Sequence, residues 1–257
     1  MSVLVLYDIP GKTEETKAWS PSTWKTRFAL NYKGIPYRTE WVEYPDIEKV
    51  CKEIGAEPTD TNPDGTPLYT FPVIHDPSTN TVLSNSIPIA LYLDKTYPDH
   101  PLYPPGTKGF HAAFQSTAAY QSPTLWNLIA HAACVNLTPR SEAYFKETFW
   151  RRKRSETDET PIEELAGAEG SEVKEENWRQ LEENLVKMGE WYERSGEGPF
   201  LMGGDKPCYA DMMIGARLMW ARQTWGKDSR DWKRLEGIDG GRWGRFIKAL
   251  EKYATVI

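Results

Sequence analysis

The chain holds only 3 cysteines and 4 histidines among 257 residues. Cys51, Cys134 and Cys208 stand far apart. They form neither a disulfide framework nor the paired spacing of a zinc site, so each is expected to serve as a small buried side chain. His75, His100, His111 and His131 show no ligand spacing, and no metal is expected. No apolar run of about 18 residues occurs, so no membrane-spanning helix is expected. An excess of positive charge is also lacking. The formal charge of −6 offers nucleic acid or an anionic membrane surface no attraction, so neither is expected as a partner. The N-terminus opens on strand-like residues without a signal-peptide pattern, which sets a cytoplasmic expectation. The length allows a sizeable core divided between two domains.

Trp19-Ser20-Pro21-Ser22-Thr23-Trp24-Lys25-Thr26-Arg27 is the most informative segment. It follows an apolar strand candidate at residues 3–6. It leads into a helix whose Trp24, Phe28 and Tyr32 recur at the i, i+4, i+8 spacing of one face. Pro21 suits the first helical position because its missing N–H would have been unpaired there. Ser20 and Ser22 bring hydroxyls to free backbone donors and the positive end of the helix dipole, a corner that can hold a carboxylate or thiolate. Taken alone, the segment favours plain helix capping by Ser20 or Ser22.

The next residues read as a Gly34 helix stop, a strand at 37–42 and a weaker helix at 46–54. After a turn-rich stretch comes Leu68-Tyr69-Thr70-Phe71-Pro72-Val73-Ile74. Proline does not sit inside a central strand, so Pro72 belongs at the strand's entrance or in a bend with a cis bond that would expose Phe71 N–H and C=O. Asp76-Pro77-Ser78-Thr79-Asn80 reads as a hairpin turn and 81–83 as a fourth strand. Ser84-Asn85-Ser86 then precedes a helix at 87–97.

This β-α-β-α-β-β-α order, with Phe71-Pro72-Val73 and Ser84-Asn85-Ser86-Ile87 in place, resembles the thioredoxin-like domain of glutathione transferases. The resemblance implies that the Phe71-Pro72 backbone pairs with the cysteinyl part of glutathione. It also implies that Ser86 holds the γ-glutamyl carboxylate at a helix start. Asn85 stands where the family carries an acidic residue, which removes charge assistance from the contact to the glutamyl amine. Ser20-Pro21-Ser22-Thr23-Trp24-Lys25-Thr26-Arg27 resembles the serine-type, etherase-related fungal FuA class, in the layout of an omega-type Cys-Pro segment with serine for cysteine. The resemblance thus implies a thioredoxin-like domain over 1–98, a linker over 99–107 with Pro101, Pro104, Pro105 and Gly106, and an all-helical domain over 108–257. Glutathione as co-substrate, a homodimer and a role in detoxification come with it.

In the second half, residues 109–137 read as a long helical stretch that Pro123 can kink. Arg151-Arg152-Lys153-Arg154 precedes nine carboxylates between Glu156 and Glu176, a pattern of solvated helix ends and loop, with a salt-bridged insert or dimer contact as the sharper alternative. Trp178, Trp191 and Tyr192 mark a resumed helix. Cys208-Tyr209-Ala210-Asp211 resembles the family's capping box with a thiol replacing the hydroxyl, so Asp211 is expected to cap without full reciprocity. A buried helix then runs through 210–225. The loop at 8–17 invites reading either as a lid or as an ordinary solvated loop.

Chemistry is therefore expected at Ser20, with Ser22 and Thr23 as alternative hydroxyls. A free thiol titrates near about 8.5, and a hydrogen bond to a charged group contributes about 1.5 to 3 kcal/mol, which lowers that value by about one to two units. The 11 tryptophans point to an aromatic ligand, with Trp19 and Trp126 as candidate contacts and wood-derived polyphenolics as the ligand class that the resemblance implies. A non-catalytic carrier of such compounds is the alternative. A thiol transferase would need a cysteine where Ser20 stands.

Overall fold

The computed structural model describes residues 3–117, 123–150 and 160–257. Strand β1 (Leu4–Asp8) leads to helix α1 (Pro21–Lys33), strand β2 (Tyr37–Trp41), a single 3-10 turn and α2 (Ile47–Ile54). Two short strands, β3 (Asp60–Thr61) and β4 (Pro67–Leu68), pair within the turn-rich stretch. Strands β5 (Val73–Asp76) and β6 (Thr81–Ser84) and helix α3 (Ser86–Thr96) complete the first half. The main sheet runs β2-β1-β5-β6. β1 is parallel to β2, whereas β5 is antiparallel to both β1 and β6. This is the thioredoxin-like α/β arrangement.

The second half is helical: α4 (Lys108–Gln115), α5 (Thr124–Val135), α6 (Pro139–Tyr144) with a π-helical continuation to Trp150, α7 (Glu172–Arg194), α8 (Tyr209–Trp225) and α9 (Arg230–Leu250). The helical stretch expected over 109–137 is described in two helices. Helical residues end at Gln115 and resume at Thr124, and residues 118–122 lie outside the described part. The basic run 151–154 also lies outside it. The acidic stretch is described from residue 160, where Glu169 pairs with Lys174 and Arg230, and Glu175 with Arg234. These pairs stitch the start of α7 to α9.

Helix α1 is the structural centre. Trp24 and Phe28 are buried and Tyr32 nearly so, as their spacing predicts. The helix packs on the sheet from one side and on α8 from the other. Gly215 permits the close approach on the α8 side, since a Cβ there would stand 2.5 Å from Leu250 Cδ1 and 3.4 Å from Phe28 Cε2. The linker is fastened by Asp94, which accepts the Lys33 ammonium and the Leu102 N–H at 2.8 Å and the Tyr103 N–H at 2.9 Å.

The expectation of a one-sided cap at Cys208 is also corrected, because both halves of the capping box are formed. Asp211 accepts the Cys208 N–H at 2.8 Å, the Leu201 N–H at 2.9 Å and the Tyr192 hydroxyl at 3.0 Å. The thiol succeeds because it is buried beside the Asp211 N–H, where no water competes for the weak acceptor. Replacement Asp211→Ala would strand two buried backbone donors and a phenol. Since each buried unpaired group costs about 1 to 3 kcal/mol, urea unfolding should show a loss of about 3 kcal/mol or more. A loss below about 1 kcal/mol would show that these bonds contribute nothing net.

Candidate functional site

One edge of the sheet collects the pieces of the site. β6 runs in the same direction as β1 because each is antiparallel to β5. The end of β1, the start of β5 and the end of β6 therefore share an edge, with Tyr7 paired to Val73 and Val73 to Ser84. Helix α1 begins after β1 and α3 after β6, so both N-termini lie at that edge together with Phe71-Pro72. A direct bond joins two of the pieces, as Asn85 N–H donates to Pro72 C=O at 3.1 Å. The Phe71-Pro72 peptide is cis. Among the described residues, no backbone hydrogen bond uses Phe71 N–H or C=O.

Ser20 occupies the N-cap position of α1 in extended conformation, yet its side chain makes no capping bond. The plain capping reading fails for this hydroxyl. Its carbonyl takes up the local donors instead, accepting the Trp24 N–H at 3.0 Å and the Thr23 hydroxyl at 3.1 Å. The Ser20 hydroxyl is thus not spent on capping the helix. Ser22, half-buried, is the second residue of the helix. Thr23 is fully buried, and its hydroxyl is directed to the Ser20 carbonyl and the Asp8 carboxylate, which removes it from reach of a ligand. No acidic residue occupies the first turn of either α1 or α3. Their free N–H groups and dipoles therefore present two uncompensated positive ends to the same edge.

At α3, Ser86 is the first helical residue and is buried, while Asn85 is exposed with φ 73°. Asn85 makes no side-chain cap. Phe71 is buried against Tyr7, with ring centroids 6.1 Å apart.

The two tryptophans separate. Trp19 is only 3% exposed and packs in the core. The strand-to-helix connection turns inward ahead of Ser20, and the indole follows. Trp126 is half-buried. A file of rings links the two across the domain junction. Trp19 lies 6.4 Å from Tyr44, Tyr44 stacks on Tyr144 at 6.1 Å, and Trp126 stacks on Phe145 at 6.4 Å. Tyr44 and Tyr144 are half-buried and were not singled out from the sequence, because neither belongs to a periodic pattern or a motif.

The lid reading of the 8–17 loop is corrected as well. Gly11 forms a bridge with Leu137, and the Lys12 N–H donates to the Asn136 carbonyl at 2.9 Å, so the loop is fastened to the end of α5. The junction is reinforced by Glu43, which accepts the Thr138 hydroxyl at 2.6 Å and the Ser141 hydroxyl at 2.9 Å. All three cysteines are buried, and burial pushes the Cys51 and Cys134 thiols up to about 11, far from nucleophilic character at neutral pH. A cavity of about 30 Å³ among Leu125, Leu181, Leu185 and Met188 lies within the helical domain and is too small for an aromatic ligand.

Sequence comparison agrees with this geometry. A family model described as the glutathione S-transferase N-terminal domain matches residues 19–96, and one described as the C-terminal domain matches residues 109–253. The glutathione S-transferase-like protein ustS of Aspergillus flavus is 30% identical over 261 residues, covering 95% of this chain and 88% of its own. Glutathione transferase GSTFuA3 from Phanerochaete chrysosporium superposes with a TM-score of 0.90 at 39% identity, over 100% of this chain and 99% of that one. A glutathione S-transferase of Ceriporiopsis subvermispora, solved in complex with glutathione, superposes with a TM-score of 0.91 at 43% identity, over 100% and 99% of the two chains. With both family domains matched in order and the same site edge built by the fold, the chain belongs to the glutathione S-transferase family and is similar to its fungal FuA class.

Proposed function

We propose that the chain is a serine-type glutathione transferase that activates the glutathione thiol for conjugation or peroxide reduction. The observation that carries this reading is the Ser20 hydroxyl, buried at the positive end of α1 and not spent on capping. Ser20 donates a hydrogen bond to the sulfur and stabilises the thiolate, with the first-turn N–H groups of α1 assisting. Ser86 and the α3 N-terminus hold the γ-glutamyl carboxylate, Asn85 meets the glutamyl amine, and the Phe71 N–H and C=O pair with the cysteinyl unit. Ser22 is the nearest alternative hydroxyl. The buried Thr23 supports the turn.

The second substrate is an aromatic electrophile or ligand of polyphenolic type, received at the domain junction where the half-buried Tyr44, Tyr144 and Trp126 gather aromatic rings. These rings take over the place first assigned to Trp19. A carrier role for such compounds is the second reading, favoured by the neutral Asn85, which weakens the hold on glutathione. Assembly as a cytoplasmic homodimer belongs to the same proposal.

Substitution Ser20→Ala should raise the pKa of the enzyme-bound thiol by about one to two units and lower conjugation at neutral pH by about tenfold or more, with the melting temperature near wild type. Full activity combined with lost stability would make Ser20 a structural residue. Calorimetric titration of glutathione into Ser86→Ala should show binding weaker by about 1 to 3 kcal/mol, and equal affinities would remove Ser86 from the site. Polyphenolic compounds should quench the tryptophan fluorescence with affinities near about 8 kcal/mol, reduced in Tyr44→Ala. No quenching across a varied aromatic panel would sink the carrier reading.

A further inference from the structure

Beneath the Ser20 turn lies a buried ion pair that the proposed reaction does not itself use. Asp8, the last residue of β1, and Arg27, one turn into α1 beyond Thr23, are both fully buried, with Arg27 Nη2 at 2.8 Å from Asp8 Oδ2. The guanidinium centre lies 5.5 to 5.8 Å from the ring centroids of Trp24, Tyr37 and Trp41, so it is enclosed by aromatic faces. Its Nη1 donates to the Thr39 hydroxyl at 3.1 Å and to the Tyr37 hydroxyl at 3.2 Å.

Each hydroxyl that accepts from Arg27 must send its own proton elsewhere. Tyr37 donates to the Thr255 carbonyl at 3.4 Å and Thr39 to the Ile257 carbonyl. Asn31 donates to the carbonyls of Tyr253 and Thr255 at 2.7 and 2.9 Å. The segment 253–257 is thereby strapped over the outer side of α1 and β2. On the inner side, Asp8 Oδ1 accepts the Ile9 N–H at 2.7 Å, and the Thr23 hydroxyl is shared between Asp8 and the Ser20 carbonyl, which it reaches at 3.1 Å. A continuous run of hydrogen bonds therefore leads from the strap, through Arg27 and Asp8, to the backbone of Ser20.

Stability does not explain this arrangement. Replacing a buried ion pair by apolar side chains of similar volume is often neutral or stabilising. Arg27 Nε moreover has no partner, which adds a further cost. What an apolar pair cannot do is fix direction. A guanidinium is a planar fork of donors, and here one face of the fork is set by β1 and the other by β2. We infer that Arg27 is a positioning residue for the thiol-activating turn, its guanidinium holding Asp8 and Thr23, and through them the Ser20 hydroxyl, in register with the sulfur. The inference rests on the serine-type reading above.

The test uses the full-length chain with glutathione and a chlorodinitrobenzene electrophile. It reads the ultraviolet absorbance of the bound thiolate against pH, together with kcat, KM and melting temperature. Arg27→Lys keeps the charge but loses the fork. It should raise the bound-thiol pKa by about one unit, which is about a tenfold fall in thiolate at neutral pH, and lower kcat accordingly, while KM for glutathione stays within about threefold. Thr39→Val, at the half-buried rim, removes one of the two links between Arg27 and the strap, leaving the one through Tyr37, and should shift the thiol pKa the same way by a smaller amount. That variant carries the test if Arg27→Lys does not fold. A thiol pKa unchanged in the folded variants, with only the melting temperature lowered, overturns the inference. Ser20→Ala measured in parallel separates the two levels. A thiol pKa unmoved by Ser20→Ala brings down the serine-type reading and this inference together, whereas a shift with Ser20→Ala alone brings down only the role of Arg27.

Discussion

Helix α1 is buried on two sides, and the remaining structure is arranged around that constraint. Its Trp24, Phe28 and Tyr32 face lies in the core, and on the helical-domain side the Phe28 ring packs at the bare backbone of Gly215. A helix held this way cannot shift without opening the core on both sides. Close-packed interiors yield little, so the start of the helix is held to a narrow range of positions. The Ser20 turn inherits that rigidity. A site on a rigid element loses less to misplacement, since an error of about 1 Å can cost about two orders of magnitude in rate.

The electrostatics of the site come mainly from backbone and not from charged side chains. Two helix N-termini free of acidic residues meet at one sheet edge, and glutathione carries carboxylates and a developing thiolate to match them. This explains how a chain with a formal charge of −6 can hold an anionic tripeptide. The net charge acts at a distance and is screened within about 8 Å at physiological salt, whereas the helix ends act on contact. In the proposed site Asn85 is a weak point, because a neutral amide gives an ammonium group less than an acidic residue would.

The domain junction is ordered by ties between the two halves. Loop 9–18 and the Glu43 and Asp46 side chains of the α/β half are tied to the segment around Thr138, Arg140 and Ser141. The tie brings Tyr44 onto Tyr144 and fixes both halves of an aromatic wall. A loop fastened in this way cannot swing as a lid.

Local rules were enough for much of the fold. The i, i+4, i+8 spacing of Trp24, Phe28 and Tyr32, the Gly34 stop and the Pro21 start define α1, because propensity, periodicity and capping agree there. Pro72 marks the entrance of β5 because proline cannot donate to a ladder, and the 76–80 turn separates β5 from β6. Other features were not legible. The end of α4 at Gln115 follows no strong stop signal in the sequence. The burial of Trp19 depends on which way a loop turns, which tertiary packing decides. The capping box at Cys208 closes fully only because burial removes competing water. Above all, nothing in the spacing of Asp8, Arg27, Thr39 and Ile257 announces that they lie in one hydrogen-bonded run. The sequence by itself determined the order of elements and the hydroxyl-rich helix start. Tertiary structure alone decided which hydroxyl is not spent on capping and which side chains hold it in place, because contacts between distant segments depend on sheet register and helix packing, which short-range patterns do not encode.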